Sequence, residues 1–573
     1  MHDNDDRSSP ARGERDSTRL TLDPITLEVV RNKLDGIANE MQSTLLRSSF
    51  STVVKEGLDA SASLFTADGE TLSQAIAIPI HLATLIPIVL TMIEKFPRET
   101  MREGDIYIMN DPYLGGTHLP DIAIVMPVFH KEQLVAFSAA MTHHQDVGGM
   151  SPGSVPPNAT EIYQEGIRIP PLKLREAGVY NETLLDMLKL NVRISEMFMG
   201  DLGAQIAACT VGARRLGELA ERHGSDYLQC LFETILARSE QMTRAALAAI
   251  PDGTYSYIDY LDNDGIDLDT PVRIEVAVTI RNDSLHCDFT GTSKQLRGPF
   301  NAVPSGSQAA AYYAVRALTD SAIPTNGGCF RPVSLHLPEG TLVNPHEPAP
   351  VNSRTSTLKR ISSCIVGALK DALPHAVPAD GASQLTVLMF GGVRDDGSRF
   401  VVGEFDAGGS GGGPHLDGVD VIETDASNCM NLPVEALELE APVRVHQMAL
   451  RTDSGGPGEF RGGLGCVREF EFLTDEVRLT HRGERHYQGA RGSQGGEAGA
   501  CSESIILRAN GDEETVPSKL LTTMNRGDRL LLKTAGGGGY GSPGSLSAAA
   551  VAEDIANGKV SNAAAASVYA VDD

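Results

Sequence analysis

Two short stretches carry the side chains best suited to chemistry. Residues 110–121 read NDPYLGGTHLPD, and residues 142–146 read THHQD. Between them lie two apolar runs, DIAIVMPVF (121–129) and QLVAFSAAMTH (133–143), separated only by HKE. A gap this short predicts an antiparallel hairpin. Its turn centres between residues 131 and 132, which sets residue 121 opposite residue 142. His118, Asp121 and His143, with Asp146 as a fourth candidate, then gather at one end of the hairpin. Imidazoles and carboxylates converging there suit Zn, Mn or Fe(II). Gly115-Gly116 allows the preceding loop to turn sharply and bring its backbone close to a ligand. The alternative reading is of turn polars and histidines satisfied within a core. The pattern is not the HExxH of metalloproteases, in which one helix supplies both histidines.

Other chemical signatures are weaker. No GxxxxGK[ST] is present, so the chain has no P-loop. A GxSxG occurs at Gly408–Gly412, but it lies inside a glycine run without a strand-to-helix elbow. The remaining glycine runs read as turns, bulges and sheet connections. Cys329 reads as a small buried hydrophobe rather than a reactive thiol.

The elements that must position these groups are legible in the periodicity. Asp23-Pro24 is an N-cap followed by Pro at the first helical position. Leu27, Val30, Leu34, Ile37, Met41 and Leu45 then recur at steps of three and four, which predicts an amphipathic helix. Residues 59–66 read as a strand closed by a turn at Asp68-Gly69, and 81–96 as a second helix. GDIYIMN from residue 104 reads as a strand, while 185–222 and 226–249 read as helices. Past residue 250 the pattern turns to β, with Val272, Ile274, Val276, Val278 and Ile280 on one face. Helical intervals return at about 308–319 and 356–372, and glycine runs crowd residues 408–539. The predicted class is α+β. A helix-rich half, 23–250, carries the hairpin. A Gly-rich half, 251–545, is dominated by mixed and often antiparallel sheet. Residues 1–22 read as a disordered leader, and 546–573 as a C-terminal helix and tail docked on the body.

Composition sets outer bounds. A chain of 573 residues predicts two to four domains. Its 48 Lys and Arg against 75 Asp and Glu leave −27, which argues against nucleic acid or an anionic membrane as main partner. No apolar run reaches the roughly 18 residues of a membrane span, and the polar N-terminus is no signal peptide. Eight scattered cysteines without CxxC fit thiols in a reducing cytoplasm, the predicted location.

At the level of long motifs the chain resembles the hydantoinase B/oxoprolinase family, whose members are the B-type components of ATP-dependent hydantoinases and oxoprolinases. Caprolactamase and the acetone- and acetophenone-carboxylase subunits belong to the same broad group. The matching stretches include NDPYLGGTHLPDIAIVMPVF, THHQDVGGMSPGSVPP, EGIRIPPLKL, GDLGAQIAA, NLPVEALELEAPVRV, DSGGPGEFRGGLG and GGGGYGSP. They run from about residue 24 to the C-terminus, and they are specific for the family rather than for a substrate.

The resemblance implies a divalent metal, zinc first and manganese or iron next, held by Asp and His. GGTHLPD carries over His118 and Asp121. HHxDVGG carries over one histidine, taken as His143; hairpin pairing alone does not separate it from His144. The family's RDFS segment corresponds to Leu58-Asp59-Ala60-Ser61, where the acid matches and its neighbours do not, so Asp59 is the fourth implied ligand. Asp111 and Asp146 are further ligands or orient the imidazoles. His144, Asp146 and Glu165 are the proton-transfer candidates, although the residue pattern itself favours a surface glutamate at Glu165.

The resemblance also implies a partner, an A-type ATPase subunit with an actin-like fold that binds ATP and Mg. The partner phosphorylates an inert amide or imide oxygen. Metal-bound water, its pKa lowered from about 15.7 toward about 7, then attacks and opens the ring. A hydantoin, 5-oxoproline or another lactam is the implied substrate, and a heterodimer or dimer of heterodimers the implied assembly. The alternatives are a subunit of a ketone carboxylase and a non-catalytic scaffold subunit.

Overall fold

The structure is a computed structural model that describes residues 22–569 apart from Leu82. The leader expected over 1–22 lies, but for Leu22, outside the described residues, as do residues 570–573 of the expected tail.

Asp23 caps the first helix, Pro24–Ser48, by accepting from the backbone N–H groups of Ile25 and Thr26. The stripe of Val30, Leu34, Ile37, Met41 and Leu45 is buried as the spacing predicts. A seven-stranded antiparallel sheet follows, built from β1 (Ala60–Thr66), β2 (Thr71–Gln74), β3 (Ile106–Met109), β4 (Asp121–His130), β5 (Gln133–His143), β6 (Leu172–Glu176) and β7 (Val179–Tyr180). Its order is β2-β1-β5-β4-β3-β6-β7. Alternation along β4 and β5 feeds two cores. Ile122, Ile124 and Ala140 pack against the first helix and the helix Ser195–His223. Ala123, Val125 and Met141 pack against Ile88 and Met92 of the helix Leu85–Lys95. This helix starts four residues later than the 81–96 pattern suggests, because His81 closes a separate 3-10 turn, Pro79–His81.

A third core belongs to β8 (Gly253–Leu261), β9 (Val272–Arg281), β10 (Ser284–Asp288) and β11 (Val333–His336), covered by the helices Pro304–Leu318 and Thr355–Ala368. A fourth lies between two sheets. One contains β12 (Leu385–Val393) and β13 (Arg399–Ala407). The other contains β14 (Val443–Leu450) and β15 (Cys466–Phe472). β16 (Val477–Arg482) joins the first of these sheets. In β12, Leu388 and Phe390 face that core, while Leu385, Val387 and Met389 face the N-terminal half.

Two expectations need correction. The glycine runs are not simple connections. Gly412 N–H donates to Gly538, Gly537 N–H to Gly463, and Gly463 N–H to Ser410, at 2.8–2.9 Å. A Cβ on Gly409 would sit 1.8 Å from the Gly463 carbonyl oxygen, and one on Gly537 1.9 Å from that of Ser410. Separate runs therefore pack backbone on backbone, which only glycine permits. Ser410 of the GxSxG is part of this packing, its hydroxyl accepting from Val419 N–H. The C-terminal helix is two short ones, Ala548–Ala556 and Asn562–Val568, interrupted at Gly558, whose φ is +69°. Among the described residues no helix is long and apolar enough to cross a membrane.

Candidate metal centre

The loop into β4 is shaped for return. Asp111 caps the 3-10 turn Pro112–Leu114, and Gly115 reverses the chain at φ +108°. A Cβ on Gly116 would lie 2.7 Å from the Asn110 carbonyl oxygen, so residues 117–121 close tightly over the strand end. The hairpin is present, but its register at the site differs by one residue from the turn-centred expectation. His130 faces Gln133 and Phe129 faces Leu134. A bulge then places Val128 opposite Ala136, and from there Asp121 stands opposite His143. Val135 is the extra residue.

His118 Nε2, Asp121 Oδ1 and His143 Nδ1 form a triangle with sides of 2.9, 3.2 and 3.3 Å. Cation–ligand bonds of about 2.0–2.1 Å in tetrahedral array separate ligand atoms by about 3.4 Å. The proton inventory makes the case stronger. His118 Nδ1 lies 3.0 Å from the Asn352 carbonyl oxygen, which only accepts, so Nδ1 carries the proton. Burial, with Arg354 nearby, pushes the His118 pKa down to about 3. The ring is neutral and its Nε2 bears a lone pair. Burial alone would raise the Asp121 pKa, yet the carboxyl is held well below its ordinary value; with His118 neutral, the cation in contact with it is Arg354. Thr117 and Arg354 occupy the other oxygen, Oδ2. Two lone pairs thus meet with no proton between them, an arrangement that a cation relieves.

Two further groups face the triangle. Asp59 precedes β1, and its carbonyl oxygen accepts from His143 N–H. Its Oδ2 is 3.8 Å from His143 Nδ1, and its buried Oδ1 has no hydrogen-bond partner. His81, not singled out from the sequence, lies 3.6 Å from Asp59 Oδ1 and 3.7 Å from Asp121 Oδ2, with both ring nitrogens unpartnered. Its signal was a lone histidine after Pro79-Ile80 in an otherwise apolar run. Orphaned buried polar atoms of this kind mark a place for a further group. The residues therefore fit a divalent cation.

The structure brings Asp59, His118, Asp121 and His143 together, and not the other four, His144, Asp146, Asp111 and Glu165. His144 points to the opposite face of the sheet, bonding Gln205 at 3.0 Å and packing against the Phe198 ring. Asp146 is taken up by Arg193 and by the backbone N–H groups of Gly148, Gly153 and Arg193. Asp111 pairs with Arg168 at 2.8 Å. Glu165 is fully buried, not a surface glutamate, and accepts from the N–H groups of Val351 and Asn352 at 2.9–3.0 Å. It supports Asn352, which the motif reading missed. Asn352 also accepts from Leu119 N–H through its side chain.

The cluster lines a cavity between the two halves of the chain. Val53, Val155, Leu385, Val387 and Met389 form its apolar wall, and Arg354 and Arg482 reach it from the C-terminal half. Its free space, about 30 Å³, is of the order of a water molecule, so the wall must part to admit anything larger.

Comparison with known proteins agrees with this architecture. The family model described as hydantoinase B/oxoprolinase matches residues 23–543. A protein from Pseudomonas sp. strain NS671, named as the B-type subunit of a D-/L-hydantoinase, is 34% identical over 96% of this chain and 95% of its own. The crystal structure of the ATP-dependent caprolactamase from Pseudomonas jessenii superposes with a TM-score of 0.91 at 33% identity, covering 96% of each chain. A nucleotide-free acetone carboxylase shares the fold, with a TM-score of 0.89 at 21% identity over 96% of this chain and 80% of that one. Family match, long relatives and shared fold converge: the chain belongs to the hydantoinase B/oxoprolinase family.

Proposed function

We propose that the chain is the metal-bearing B-type subunit of an ATP-dependent amidohydrolase that opens a cyclic amide or imide. An actin-like ATPase subunit would bind ATP and Mg and activate the substrate oxygen by phosphorylation, in a heterodimer or a dimer of heterodimers. The reading rests on one observation, the buried triangle of His118 Nε2, Asp121 Oδ1 and His143 Nδ1, in which His118 and Asp121 meet with no proton between them. Its substrate class rests on the relatives, named hydantoinase and caprolactamase.

His118, Asp121 and His143 would hold the cation, with Asp59 as fourth ligand. Zinc is the first choice, manganese or iron the next. When bound, such a cation polarises carbonyl and phosphoryl oxygens and makes water acidic enough to act near neutral pH. The chain's own residues do the rest. The Asn352 carbonyl fixes the His118 tautomer, and Thr117 and Arg354 orient Asp121. His81, beside Asp59 Oδ1, takes the proton of the attacking water, the role first expected of His144, Asp146 or Glu165. The apolar wall excludes bulk water from the activated substrate.

The test is the reconstituted complex with its ATPase subunit, ATP and a panel of lactams, hydantoins and 5-oxoproline. Ring opening that needs ATP and vanishes in His118→Ala, with the complex still assembled, is the expected result. Full turnover in His118→Ala would refute the metal site. Uptake of labelled bicarbonate into an acid product would instead assign a carboxylase.

A further inference from the structure

Arg482 ends β16 and stands opposite Val387 of β12, so both project from the same face of the sheet toward the cavity. The residue is buried, yet its guanidinium has no ion-pair partner among the described residues. One long hydrogen bond reaches the Asn352 carbonyl at 3.5 Å, and Nε has no partner at all. Nearby carboxylates are already engaged: Glu484 with Lys519 at 2.6 Å, and Glu423 with Lys359 at 3.2 Å. Arg354, the other cavity arginine, is committed to Asp121. Burial, and the repulsion of Arg354, lower the Arg482 pKa to about 10, still far above neutral pH. A charged guanidinium is thus held out of water with no carboxylate in contact, which is costly unless a ligand supplies an anion.

Charge in the cavity points the same way. Asp59 and Asp121 match Arg354 and Arg482 in number, though neither carboxylate touches Arg482. A divalent cation then leaves an excess of two positive charges, beside a planar fork of free N–H donors.

Building on the function proposed above, we propose that Arg482 receives an oxyanion of the substrate in the cavity beside the His118–Asp121–His143 cluster. Two groups offer that chemistry: the phosphoryl group of an activated substrate, and the carboxylate released when a ring opens. Arg482 is a binding residue here, separate from the groups that hold the metal. An anion reaching it needs the same parting of the apolar wall as a ring does.

The experiment titrates the full-length chain, metal-free and zinc-loaded, with inorganic phosphate and with acetate in a calorimeter. Wild type is expected to bind at least one of the two. Arg482→Gln and Arg482→Met are expected to weaken that binding roughly tenfold to a hundredfold, and Arg482→Lys less. Phosphate binding alone assigns the phosphoryl group, and acetate binding alone the carboxylate. Thermal melting separates ligand binding from a structural role. Removing an uncompensated buried charge should leave the metal-free Arg482→Met chain as stable as wild type or more so. Failure of wild type to bind either anion overturns the proposal, as does unchanged affinity in Arg482→Gln and Arg482→Met. Zinc stoichiometry, measured alongside, reports on the metal site by itself. If zinc does not bind, the functional reading fails, while the metal-free titration still decides the role of Arg482.

Discussion

Asp121 and His143 stand directly opposite each other across the β4–β5 hairpin, and a bulge of one residue puts them there. Side chains alternate between faces with period two, so a register slip of one residue exchanges the faces. Without the extra Val135, the turn would set Asp121 opposite Thr142, and His144 would share its face. Asp59 completes the row, lined up beside His143 at the start of β1. Carboxylate, imidazole and carboxylate thus sit side by side on three adjacent strand ends.

The adjacent histidines should therefore separate cleanly on mutation. His143→Ala is expected to weaken zinc binding by more than about a hundredfold, with melting of the metal-free chain little changed. His144→Ala should keep zinc affinity near wild type and lose about 2–4 kcal/mol of stability, because it removes a buried ring packed on Phe198 and bonded to Gln205. Equilibrium dialysis with zinc and denaturant melts measure the two effects. Equal loss of zinc in both variants would contradict the face assignment.

Asn352 ties residues far apart in sequence to the site. Its carbonyl accepts from His118, its side-chain oxygen accepts from Leu119, and its amide donates to the carbonyls of Ser154 and Glu165. In Asn352→Asp a carboxylate oxygen meets those two carbonyls. The expected outcome is about 2 kcal/mol or more of lost stability and zinc affinity roughly 10–100-fold weaker. Wild-type zinc affinity would show that the His118 tautomer needs no such support.

Glu165 makes stability depend on pH. Burial raises its pKa from 4.5 to about 8, against the opposing pull of the Val351 and Asn352 N–H groups. Between those values the folded chain holds a proton that the unfolded chain has released. The contribution is thus complete below about 4.5, and it is lost as pH rises, fully by about 8. The slope is at most about 1.4 kcal/mol per pH unit. Denaturant titrations of wild type and Glu165→Gln at pH 6, 7 and 8 should show a falling difference between them. Parallel profiles would mean that Glu165 is ionised throughout.

Two glycine-to-alanine changes should have opposite signs. Gly217, in the helix Ser195–His223, has open space where a Cβ would stand, so Gly217→Ala should stabilise by about 0.5–1 kcal/mol. Gly537→Ala drives a methyl into the Ser410 carbonyl and should cost more than about 3 kcal/mol or prevent soluble expression. Melting temperatures decide, and a well-tolerated Gly537→Ala would contradict the backbone-on-backbone packing.

Local pattern alone determined much of this protein. The Asp23 cap and the three-and-four spacing specified the first helix. The two apolar runs around HKE specified a hairpin. The order of long motifs specified the family, because caps, periods and motifs are properties of neighbouring residues. The tertiary structure alone decided which histidine joins Asp121, since a single bulge residue inverts a period-two pattern without leaving a mark in composition. It also recruited His81, Arg354, Asn352 and Arg482. These meet the cluster only because sheets and loops up to several hundred residues apart in sequence close on one cavity. The glycine runs show the same limit from the other side. Their abundance is plain in the sequence. That they pack on each other, instead of merely turning the chain, depends on partners no local pattern names.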